Sequence, residues 1–157
     1  MVKTVVNNHT FHNLKTLKNT MKEKIKTLKI IHLALCAGLI MAYIIIGQIT
    51  SLEALKLPEI DNNSIVYLLI PFMAFSVSNV LFKSQLKKAH PKASLEENLP
   101  VYQTACIMRW AILEGAAFVL LILKKEFIVF GILLIAYLLF LHPTEEKIKK
   151  DLNISHF

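Results

Sequence analysis

Two long stretches of this chain carry no formal charge. Ile30–Ile49 and Ser64–Phe82 contain no Asp, Glu, Lys or Arg. A helix rising about 1.5 Å per residue needs about 20 residues to cross roughly 30 Å of hydrocarbon. Both stretches have that length. In lipid every backbone N–H and C=O must be satisfied within the segment or in a closed barrel. Barrel strands alternate apolar and polar residues over about 10 positions. These runs are continuously apolar, so they predict helices.

Two further runs follow. Val101–Leu123 is long enough to cross but carries Arg109 and Glu114. Phe127–Leu141 is short, and spans only if its flanks dip into the interface or the bilayer thins. A re-entrant segment is the alternative. A span is favoured because Pro143 and a charged tail follow directly. The predicted fold class is therefore all-α: a polytopic membrane protein with four transmembrane helices, arranged as two hairpins. Spans are placed at about 30–49, 64–82, 101–123 and 127–141. A basic arm (1–29) precedes the bundle (30–141), and a short charged tail (142–157) follows it.

Composition agrees with this. Of 157 residues, 55% are hydrophobic and only 18% charged, against roughly 25% charged in soluble chains. A soluble enzyme, a disulfide-framed secreted domain and a disordered tail are excluded. Cys36 and Cys106 lie in apolar runs outside any CxxC pattern, and read as small buried hydrophobes. The net charge of +7 sits in the flanks of the apolar runs, without interleaved aromatics. It points to anionic lipid and membrane topology rather than nucleic acid.

Lysine asymmetry gives the orientation. The arm holds Lys15, Lys18, Lys22, Lys24, Lys26 and Lys29. The second loop holds Lys83, Lys87, Lys88 and Lys92, and the tail holds Lys147, Lys149 and Lys150. The positive-inside rule puts these three regions in the cytoplasm, with both termini there. Lys124 and Lys125 alone argue against it. Phe11, Leu14, Met21, Ile25 and Leu28 recur at helical spacing among lysines, the pattern of a basic amphipathic helix on the inner leaflet. The alternatives are a flexible arm, or a natural start at Met21 with 1–20 as an upstream extension. In the tail, Thr144 suits a helix start and Glu145/Lys149 and Glu146/Lys150 are i, i+4 pairs.

The costly residues are Arg109 and Glu114. A charge at the bilayer centre costs about 2.5–3.5 kcal/mol on insertion scales. Entered from the cytoplasm, Arg109 lies ~12 Å deep, within reach of snorkelling, and Glu114 lies ~20 Å deep. Five residues of helix put them about 140° apart, so they do not share a face. Each then needs a partner on another helix, or Glu114 is carried neutral. Depth matching sets Ser76, Ser78 and Asn79 level with Arg109. It sets Tyr43, and the Tyr67 carbonyl freed by Pro71, level with Glu114. Gln103 shares the Glu114 face. Small-xxx-small spacings occur at Ala34-Gly38-Ala42, Ala74-Ser78 and Ala111-Gly115, which suit close helix packing. His32 has no second histidine at matching depth, since His142 is placed at the membrane edge. No cofactor, metal site or catalytic motif is expected, and the two halves show no internal repeat.

Lys26–Leu35, Tyr102–Ala105 with Arg109–Gly115, and His142–Ile148 together resemble a family of small four-span membrane proteins of Bacteroidetes-type bacteria. The resemblance covers roughly residues 22–152, implies the four-span architecture and favours Met21 as the start. It carries no activity with it. The single helix around Glu114, Ala111–Ala117, also resembles the rotor proteolipid (c) subunit of rotary ATPases, whose glycine-rich partner helix has no counterpart here. The expected function is that of a non-enzymatic structural, accessory or assembly protein of the bacterial inner membrane, self-associating or bound to a partner membrane protein. The alternative is a proton or small-solute pathway through Glu114, tuned by Arg109.

Overall fold

In a computed structural model of the chain, residues 2–49, 56–59, 61, 64–91 and 93–152 are described, with side chains from residue 19 onward. The described residues are helical, with no strands among them. In order, α1 is Val2–Ile45, α2 is Ile65–Leu86 and α3 is Leu95–Leu123. A 3-10 turn, Lys125–Phe127, leads into α4, Ile128–Phe140, and α5 is Glu145–Asp151.

The arm and the first span form one continuous helix, α1, with no break between them. The apolar, leaflet-facing side expected at Phe11 and Leu14 lies outside the described side chains. From Ile25 onward the buried positions are Ile25, Leu28, His32, Cys36, Leu39 and Tyr43. These repeat every three or four residues, so α1 buries a single stripe. Its other face shows Leu33, Met41, Ile44 and Ile45, each more than half exposed. In water such a face would be a severe liability, but in lipid it is the solvated surface.

At its start, α2 is fastened by Asp61 and Ser64. The Asp61 Oδ1 accepts from the Ser64 amide at 2.7 Å and from the Ser64 hydroxyl, and the Asp61 amide donates back to Ser64 Oγ at 2.8 Å. These bonds hold the Asp61 carboxyl below the usual carboxylate range. The turn into α3 is pinned by Asn98, which is buried. Its Oδ1 accepts from the His90 amide and its Nδ2 donates to the His90 carbonyl, both at 2.9 Å. Ser94 and Glu97 then close a capping box at the α3 N-terminus.

The central helix is α3. It packs against each of the other four, most extensively against α2 and then α4, while α1 lies along α3 and α4. Its buried side chains include Leu99, Trp110, Leu113, Ala117, Leu120 and Leu121. The opposite side carries Ile107, Val119, Ile122 and Leu123, exposed and equally apolar, so no single apolar face dominates its sequence.

Three helices are long and apolar enough to cross a membrane: Asn19–Ile45, Ile65–Leu86 and Leu95–Leu123. The fourth expected span differs. From Lys125 to Phe140 the helix covers only about 24 Å, and the chain then turns by 92° into α5. The protein is thus a multi-pass membrane protein with three or, counting the bent pair, four crossings. The bend is held in place. Lys147 Nζ donates to the carbonyls of Phe140 (2.8 Å) and His142 (3.4 Å), capping the end of α4 with positive charge. Thr144 Oγ1 accepts from the Lys147 amide, Lys149 pairs with Glu145 at 2.8 Å, and Ile148 and Leu152 are buried.

Gln103 of α3 donates to the Lys24 carbonyl of α1, and Tyr102 of α3 to Asp151 of α5. The lysine-rich part of α1, the α2–α3 turn and α5 therefore share one end of the bundle, which we call the basic end. At the opposite end, Tyr67 at the start of α2 faces Phe127, with ring centroids 5.6 Å apart.

Candidate functional site

Near the basic end α3 presents Arg109 towards α2 and α4. Its Nη2 donates to Asn79 Oδ1 at 2.5 Å and to the Tyr137 hydroxyl. Tyr137 in turn donates to the same Asn79 oxygen at 3.0 Å. Asn79 is oriented for this, because its Nδ2 donates to the Phe75 carbonyl one turn back at 2.7 Å. Ser78 Oγ donates to that same carbonyl at 3.0 Å. The guanidinium lies 4.7 Å from the Phe82 ring centroid and 5.5 Å from that of Tyr137. Three helices are thereby tied by one cation. Aromatic faces supply part of the stabilisation that water would otherwise give. Arg109 Nε is buried without an acceptor, and among the described residues no carboxylate pairs with Arg109.

Glu114 faces elsewhere. It is half-buried and its electrostatic neighbour is Cys36 on α1. Arg109 looks towards α2 and α4, as their angular separation requires. Tyr43, expected level with Glu114, is occupied otherwise: its hydroxyl donates to the Ala117 carbonyl at 2.6 Å. The ring of Tyr43 also lies directly against Gly131 of α4. Any side chain there would collide with the hydroxyl, so this α1–α4 contact depends on that glycine.

A second polar layer joins α1 to α4. His32 is buried, and its Nε2 donates to the Leu138 carbonyl at 2.8 Å. Its ring centroid lies 4.7 Å from that of Trp110 and 5.4 Å from that of His142. This corrects the expectation that His142 stands apart from His32. The bend after α4 folds the membrane-edge residue back over α1. Among the described residues no group of three His, Cys, Asp or Glu side chains is placed to hold a metal.

Of the other candidate residues, Gln103 bonds to α1 as described, and Ser76 is half-buried on α2. Ala74 and Ser78 are buried. Ala34, Gly38, Ala111 and Gly115 are exposed, and Ala42 is half-buried. A Cβ on Gly38 or Gly115 would meet nothing within 4 Å. These small residues do not bring the bundle's own helices together. Tyr137, Phe82, Trp110 and Gly131 were not singled out by sequence reasoning. Tyr137 is the sole hydroxyl-bearing residue of Phe127–Leu141, which is the signal that would have paired it with Arg109.

No family profile matches the chain, and no curated protein or solved structure matches it either.

Proposed function

We propose that the chain is a small non-enzymatic protein of the bacterial inner membrane, a structural, accessory or assembly component whose buried polar residues fix the bundle. The observation that carries this reading is the Arg109–Asn79–Tyr137 cluster. It ties three helices through one charge-assisted set of hydrogen bonds. Positive-inside asymmetry supports a cytoplasmic basic end, and hence cytoplasmic termini and four crossings, with α4 as the short one. The uncovered small-residue faces at Ala34-Gly38 and Ala111-Gly115 support association with a partner helix or a second copy. The anionic inner leaflet suits the lysines of the basic end.

A proton pathway through Glu114 draws no support from Arg109, which faces different helices. The discriminating experiment is proton flux in liposomes carrying the wild type or Glu114→Gln. Equal, background-level flux is expected for both. A wild-type flux abolished by Glu114→Gln would replace the structural reading with the proton one.

A further inference from the structure

Arg109 has donors left over. Nη2 is occupied by Asn79 and Tyr137, yet Nε is buried with no acceptor. A cation this far into an apolar bundle ordinarily has a counter-charge, and among the described residues none is supplied to it. What lies beside it is a cavity of about 240 Å³. Its cationic lining is Arg109, Lys147 and Lys150, its apolar walls include Phe82, Trp110 and Leu141, and the one acid is Asp151. Asp151 is partly occupied by the Tyr102 hydroxyl at 3.3 Å, and it also borders a neighbouring basin lined by Lys83, Lys87 and His90.

We propose that this cavity holds a phosphate group, the headgroup of an anionic phospholipid, which completes the charge pairing of Arg109. A space of about 240 Å³ takes a phosphate with a short polar stem. The guanidinium N–H donors not taken by Asn79 and Tyr137 suit a phosphate oxygen, and Lys150 adds a point charge, with the Lys147 charge at the end of α4 beside it. A separate feature favours lipid over free phosphate. An apolar groove between α2 and α4 runs along Leu68, Phe72, Phe75, Phe130 and Leu133 for about 10 Å. It reaches Tyr137, whose hydroxyl bonds to Arg109. The headgroup cavity and a groove long enough for the first part of an acyl chain therefore border the two members of the Arg109–Tyr137 pair. The proposal rests on the membrane reading but not on the absence of proton flux, so the two fail separately.

The test titrates the full chain in detergent with dioleoyl phosphatidylglycerol, dioleoyl phosphatidylcholine or inorganic phosphate. Trp110, the sole tryptophan, lines the cavity and serves as the fluorescent reporter. Saturable binding of phosphatidylglycerol is expected, with phosphatidylcholine and inorganic phosphate at least tenfold weaker. Lys150→Gln is expected to weaken phosphatidylglycerol binding about fivefold. Lys149→Gln, on the same helix but outside the cavity, should leave it unchanged. Asp151→Asn should tighten it, an outcome that misfolding does not imitate. Equal affinity for the two lipids, an equal loss in Lys149→Gln, or no tightening in Asp151→Asn would overturn the proposal. So would tight binding of inorganic phosphate alone.

Discussion

Replacing Gly131 with alanine sets two known effects against each other. In the interior of an exposed helix the change would stabilise by about 1 kcal/mol, because glycine is the poorer helix former. Here the new Cβ would fall on the Tyr43 hydroxyl, 2.6 Å from Cζ and 2.9 Å from Cε1. Carbon contacts are favourable only from about 3.5 Å. Tyr43 has little room to yield. Its ring is 2% exposed and its hydroxyl is tied to the Ala117 carbonyl. Either α1 moves roughly 1 Å off α4, or Tyr43 swings out and gives up that bond. Overpacking of this kind costs about 1–3 kcal/mol, and an interhelical hydrogen bond in a membrane protein adds about 0.6 kcal/mol. The clash outweighs the propensity gain, and Gly131→Ala should destabilise by about 1–2 kcal/mol. Equilibrium unfolding in mixed micelles, followed by Trp110 fluorescence, measures this. Gly38→Ala and Gly115→Ala are the controls, since neither new methyl meets anything within 4 Å. Both should be neutral or stabilising. If Gly131→Ala behaves as they do, the α1–α4 contact is not as described.

Asn98→Ala leaves the His90 amide and carbonyl without their buried partner, and should cost about 1–3 kcal/mol. The expected sign is faster proteolytic cleavage in the 87–94 turn, with α1 and α4 unaffected. For Asp61, the folded-state pKa is lowered by its bonds to Ser64. Its contribution is therefore complete above the ordinary aspartate value of about 3.9 and is lost as pH falls through the lower folded value. The protection of the Tyr67 amide, whose N–H bonds to the Ser64 carbonyl, taken relative to the intrinsic exchange rate at each pH, should fall over that range in wild type. In Asp61→Asn it should not respond to pH.

Much of the architecture was legible because its causes are local. Charge-free runs of spanning length forced helices at α1 and α2. Thr144 and the Glu145–Lys149 pair are cap and pair chemistry contained within six residues of sequence. The angular separation of Arg109 and Glu114 follows from helix geometry alone, and depth matching alone reached Asn79. What escaped was set by tertiary approach. Nothing in the sequence says that α1 continues unbroken from arm to span, since lysines and apolar residues are both acceptable in a helix. Whether a small residue marks an interface depends on which face turns inward. Gly131 meets Tyr43 while Gly38 and Gly115 meet nothing, yet all three look alike in the chain. The 92° turn after Phe140 is fixed by Lys147 and by the burial of Ile148. That turn is what brings His142 over His32.

The account's central claim is that Arg109 binds α2, α3 and α4 together through Asn79 and Tyr137. A double-mutant cycle pairing Arg109→Leu with Asn79→Ala, measured by unfolding in mixed micelles, tests it most directly. The geometry predicts that the two changes together cost less than the sum of their separate costs by about 0.6–1.7 kcal/mol. Costs that simply add would contradict it.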